Sequence, residues 1–144
     1  MRWKPWLLVF ASLLCLACAT APEPLLKATL VVGGPRMKQA LELHGRGFTV
    51  TVTRVELDGK PVVRTASGTL GREEYRRLLA RFDALDLTAF KELYAGRDMD
   101  RMGRTATVRI AYKGVTRTVT IIGPPTPESE PLLAPLLPLL DRLP

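Results

Sequence analysis

The chain has 144 residues, 47% of them hydrophobic and 6% aromatic, with 21 Lys and Arg against 14 Asp and Glu, one His and two Cys. That length carries one small domain around one core, and the apolar fraction excludes wholesale disorder. A formal charge of +7 points toward acidic partners, while one His and two Cys leave little material for metal or nucleophilic sites.

Met1–Pro5 carries Arg2 and Lys4 and no acid, and Trp6–Ala19 (WLLVFASLLCLACA) is an unbroken run of apolar and small residues. At ~1.5 Å per residue that run spans about 21 Å, short of the ~30 Å hydrocarbon core of a bilayer. A charged start, a short apolar stretch and a small-residue end predict an export signal over residues 1–18. A buried N-terminal helix would need a polar face, and this segment has none.

The run Leu14-Cys15-Leu16-Ala17-Cys18 resembles the lipobox of bacterial lipoproteins, in which a small residue precedes the acylated cysteine. Ala17 fits that position and Leu16 the one before it, whereas Cys15 departs from the usual Leu. The resemblance implies that Cys18 carries several acyl chains, palmitate among them, and holds the protein to a lipid bilayer. Two or more chains anchor stably where one binds only marginally. Ala19 resembles the residues that permit sorting to the bacterial outer membrane, on its periplasmic or surface face. A second cut stays open: Ala17-Cys18-Ala19 read as an A-x-A site releases a soluble, secreted protein from Thr20. Either way both cysteines belong to the address, so the core alone must hold the fold. Loss of residues 1–18 removes two bases and no acid, which lowers the formal charge from +7 to +5. An exported basic domain would meet anionic head groups, anionic polysaccharide or an acidic protein surface rather than nucleic acid, but the bases are dispersed without aromatic interleaving and read first as a solvated surface.

Residues 19–27, with Pro22 and Pro24, read as a tether to a single α+β domain over residues 28–144. Ala28–Val32 predicts a first strand that ends at Gly33-Gly34-Pro35, and Gln39–His44 a second. Phe48–Leu57 is the clearest strand, with Phe48, Val50 and Val52 on one side and Thr49, Thr51 and Thr53 on the other. The apolar phase slips at Arg54-Val55, which predicts a β-bulge, and Asp58-Gly59 supplies a hairpin turn into Pro61–Ala66. A helix is predicted over about 72–85, with Glu73 and Glu74 in its first turn and Tyr75, Leu78, Leu79, Phe82 and Leu85 as its apolar stripe. A short second helix is expected over about 88–94, with Thr88 as its cap.

Ala95–Arg104 is polar and rich in breakers, and reads as a loop. Thr105–Tyr112 and Val115–Ile122 flank Lys113-Gly114, a two-residue hairpin turn. Pairing Tyr112 with Val115 sets Val119 against Val108 and Ile121 against Ala106, with Arg117 opposite Ile110 as the one mismatch. In the Leu-rich end, Leu132, Leu133, Leu136, Leu137 and Leu140 have helical spacing, Pro127 or Pro131 suits a helix start, and Pro135 and Pro138 kink the helix. The expected architecture is an antiparallel sheet of four to six strands with these three helical pieces packed on it.

Enzyme chemistry finds no purchase. His44 stands alone beside glycines, the mature chain has no Cys nucleophile, and G-x-S-x-G is absent. Asp98-Met99-Asp100 matches two positions of a calcium loop, but Met102 and Arg109 stand where further oxygen ligands belong. No cofactor or metal is therefore expected, and the reading is a non-catalytic binding or structural domain of the cell envelope.

Gly68-Thr69-Leu70 before Glu73-Glu74-Tyr75, then Leu78-Leu79, Asp86-Leu87, Phe90, Tyr94 and the Thr-rich hairpin at Lys113-Gly114 together resemble a group of small exported bacterial α+β domains. The group is similar to the emfourin-like (protealysin-inhibitor-like) family, and the resemblance spans roughly Leu41 to Leu143. It implies an alternative function, inhibition of a thermolysin-type metallopeptidase, and carries over no inhibitory residue. A presenting segment for a peptidase or another protein partner would be the 95–104 loop, with Arg97, Asp98, Asp100, Arg101 and Arg104 as contact residues.

Overall fold

A computed structural model describes residues 22–95 and 104–143. Seven strands form one sheet: β1 (Lys27–Gly33), β2 (Met37–His44), β3 (Gly47–Val55), β4 (Pro61–Thr69), β5 (Leu93–Ala95), β6 (Thr105–Tyr112) and β7 (Val115–Ile122). Their order across the sheet is β4-β3-β2-β1-β6-β7-β5. Tight turns dictate most of it, because each short break joins antiparallel neighbours. At Lys113-Gly114 both turn residues take positive φ, 48° and 80°, the twist that a two-residue hairpin requires. The β6–β7 register is the one read from the sequence, Tyr112 against Val115 and Val108 against Val119. Arg117, opposite Ile110, resolves its mismatch by donating from its guanidinium to the Phe90 carbonyl.

The long helix α1 (Arg72–Asp83) buries Tyr75, Leu78, Leu79 and Phe82. Its Phe82 ring meets Tyr112 with centroids 6.5 Å apart. Beyond α1, the expected helix over 88–94 does not form. A 3-10 turn at Leu87–Ala89 is capped by Asp86, whose carboxylate accepts from the Thr88 N–H at 3.0 Å. Asp86, not Thr88, is thus the cap. The next residues extend as β5, the one parallel strand among the described residues, paired with β7 through Leu93↔Thr120 and Ala95↔Ile122. The open edge of β7 offers backbone partners that the local helical spacing could not foresee, and it raises the strand count above the expected range.

Three more expectations are corrected. The β3–β4 register runs unbroken through Arg54↔Val62 and Val55↔Pro61, without a bulge. Val55 simply turns outward, 38% exposed, where the hairpin runs past the core and has no inward face to restore. The C-terminal helix is two single turns, α2 (Glu130–Leu133) and α3 (Leu137–Leu140), each with Pro at its start. Prolines that begin a turn also interrupt the one before, and the break shifts the buried stripe from Leu137 to Leu139. The tether is shorter than residues 19–27, because Leu26 is fully buried and β1 begins at Lys27. The Tyr75 hydroxyl clamps this stretch, accepting from the Leu26 N–H at 3.0 Å and donating to the Pro24 carbonyl at 2.9 Å.

The core lies between one face of the sheet and these helices. Leu30, Leu41, Val50, Val108 and Val119 from the strands are fully buried against residues of α1, α2 and α3. Gly68 is the close-approach point on β4: a Cβ there would stand 2.7 Å from the Phe48 ring. At the far end of α1, Asp83 accepts from the Tyr112 hydroxyl at 2.9 Å and from Lys113 Nζ at 2.6 Å, which ties the helix to the β6–β7 turn.

Candidate functional site

Alternation along each strand sends one set of side chains to the core and the other to the opposite face. That second face is lined chiefly by hydroxyls. Thr49, Thr51 and Thr53 of β3, Thr105 and Thr107 of β6, and Thr116, Thr118 and Thr120 of β7 all point there, while their neighbours Val50, Val108 and Val119 point inward. Among the described residues no helix packs on it. The strand registers place Ser67, Thr49, Glu42, Thr29, Arg109 and Thr118 in one row straight across six strands.

Around this row the twisted sheet forms a shallow, open hollow of about 680 Å³, lined by Lys27, Thr29, Glu42, His44, Thr49 and Arg109. At one side its hydroxyls pair with each other, Thr49 Oγ1 to Ser67 Oγ at 3.0 Å and Thr51 Oγ1 to Thr65 Oγ1 at 3.4 Å. In the middle they do not. Among the described residues the side chains of Thr29, Glu42 and Arg109 make no hydrogen bond or ion pair with one another or with their neighbours, although Thr29 sits between the other two in register. An anion and a cation held apart across a hydroxyl, all exposed, can receive a polar ligand that brings both an acceptor and a donor.

A smaller hollow of about 180 Å³ lies on the other side of the sheet, between α1 and the C-terminal turns. Arg77, Arg81 and Arg142 line it together with Glu74, which Arg142 pairs. The Arg142 guanidinium also lies 5.5 Å from the centre of the Phe48 ring. The Arg142–Glu74 pair pins the chain end onto α1 and so has a structural use already.

Of the residues singled out from the sequence, Cys18, Arg97, Asp98, Asp100 and Arg101 lie outside the described residues. Arg104 is exposed just before β6, and its carbonyl accepts from the Gly123 N–H at 2.9 Å. The structure does not bring it into the hydroxyl-lined hollow. His44 does belong there, at the end of β2, in a setting shared with Lys27 and Thr29. Among the described residues no group of three or more His, Cys, Asp or Glu side chains comes together, and no helix is long and apolar enough to cross a membrane. The bare face was not singled out from the sequence as a site; its signal was threonine at alternate positions in three separate strands. Compared with protein-family models and with curated proteins, the chain matches none.

Proposed function

We propose that the protein is an exported, non-catalytic binding domain of the bacterial cell envelope, held to a membrane by acylated Cys18, with the bare hydroxyl-lined sheet face as its contact surface. One observation carries the contact surface. A seven-stranded sheet buries one face under every described helix and leaves the other exposed, with Glu42, Thr29 and Arg109 along its central row unpaired among the described residues. Antiparallel sheets tolerate a wet face, so the fold itself does not require a cover there. The sequence Leu14–Cys18 after a charged, apolar start supports the anchor.

Two measurements test the two halves separately. Wild-type protein is expected in the membrane fraction and the Cys18→Ala variant in the soluble fraction; unchanged membrane retention would overturn the anchor. For the face, mild detergent extraction and native electrophoresis should reveal a complex containing the chain. The Thr29→Arg, Thr118→Arg double variant should lose that complex while keeping the wild-type unfolding midpoint, since both side chains are exposed. A complex that survives the substitution would overturn the assignment of the face.

A further inference from the structure

Anchoring at Cys18 constrains the helical side of the molecule. Only four residues, Ala19 to Pro22, separate Cys18 from Glu23. Even fully extended, that stretch spans no more than about 18 Å. Its far end is fixed to α1: Glu23 pairs with Arg76 at 3.3 Å, and the Tyr75 hydroxyl holds Pro24 and Leu26. If Cys18 is in the bilayer, Glu23 and the α1 surface beside it stay within about 18 Å of the anchored cysteine.

That surface is suited to lie there. The buried stripe of α1 leaves an exposed arc with Arg72 and Arg76 along one edge, Arg77 and Arg81 along the other, and Ala80 and Glu73 between them. Arg76 is neutralised by Glu23 and Glu73. Among the described residues Arg72, Arg77 and Arg81 form no ion pair. Long arginine stems at both edges with a small residue between them allow the helix to settle while the guanidinium groups reach outward. Guanidinium groups bind phosphate oxygens through paired N–H donors, and at ~8 Å screening length that contact must be close, which the short tether permits.

We propose that the outer face of α1 is the membrane-facing surface of the domain, with Arg72, Arg77 and Arg81 bound to the phosphates of anionic lipid head groups. The inference rests on the anchor at Cys18. It leaves the bare sheet face free, because α1 packs on the opposite side of the sheet.

The test uses the full, acylated chain reconstituted in vesicles of phosphatidylcholine alone or with phosphatidylglycerol as about a third of the lipid. A fluorophore is attached at Ala80→Cys on α1 or at Leu57→Cys on the β3–β4 hairpin tip, and lipids with a quencher on the head group report proximity. Quenching at Ala80 is expected to exceed that at Leu57 several-fold in the anionic vesicles, and to fall with added salt. The triple variant Arg72→Gln, Arg77→Gln, Arg81→Gln should float with the vesicles but lose most of the Ala80 quenching. Equal quenching at the two sites, or an unchanged triple variant, would overturn the membrane-facing assignment alone. Equal Ala80 quenching in both vesicle types would overturn the phosphate contact. Wild-type protein that does not float with vesicles would overturn the anchor and this inference with it.

Discussion

Midway along β3 and β7 the two faces differ by little more than a methyl exchanged for a hydroxyl. Val50 is fully buried, while Thr49 and Thr51 on the same strand are partly open to water; Val119 is fully buried, while Thr118 beside it is exposed. Valine and threonine have nearly the same shape and both favour extended backbone, so either set would build the strand. What differs is the cost of drying the side chain. A hydroxyl withdrawn from water needs a partner, and the helices α1, α2 and α3 bring leucine, phenylalanine and tyrosine to the valine face. The covered side of the sheet holds the fold, and the open side is the one we propose meets a partner.

The sharpest way to break the first half is to truncate the covered face. Leu30 is fully buried on central β1, and Leu30→Ala is expected to cost about 2–5 kcal/mol, read from urea unfolding midpoints. Next comes the exchange that distinguishes the faces by chemistry alone. Val108→Thr keeps the shape but buries a hydroxyl at a site with no exposure, and should cost about 1–3 kcal/mol in the same assay. A cost near zero there would mean that the covered face is wetter than its packing indicates.

A smaller effect belongs to the rim, where α1 meets the β6–β7 turn. The hydrogen bond from Lys113, and then that from the Tyr112 hydroxyl, hold the Asp83 carboxyl below its ordinary value against a weaker opposing effect of desolvation. Since its folded-state pKa lies below the unfolded one, this stabilisation is complete above the usual carboxylate range and is lost as pH falls through the folded value. Asp83→Asn should therefore lower Tm at neutral pH, with a gap to wild type that closes in acid. A gap that stays constant in a thermal-melt series from neutral to acidic pH would contradict the assignment. Smallest of all, Thr118→Val on the bare face should change stability by no more than about 0.5 kcal/mol.

Much of this division was legible in the chain. The stripe Tyr75, Leu78, Leu79, Phe82 identifies α1 because its period matches one helix face, and Lys113-Gly114 fixes the β6–β7 register because a two-residue turn admits few pairings. What escaped depended on distant partners. Leu93–Ala95 became a strand because β7 had a free edge, and Leu26 became core because the Tyr75 hydroxyl, 49 positions away, captures its N–H. The bare face escaped for a similar reason. Each strand displays only its own threonines, and the row that joins Glu42, Thr29 and Arg109 exists only once the order β2-β1-β6 is known.

The division is tested most directly by asking which side of the sheet touches a partner in the cell. A photo-crosslinking side chain is placed at Thr29 or Thr118 on the bare face, or at Asp141, exposed behind α3, on the covered side. A discrete adduct is expected from Thr29 and Thr118 and none of comparable yield from Asp141. Adducts of equal yield from all three positions, or an adduct from Asp141 alone, would contradict the division.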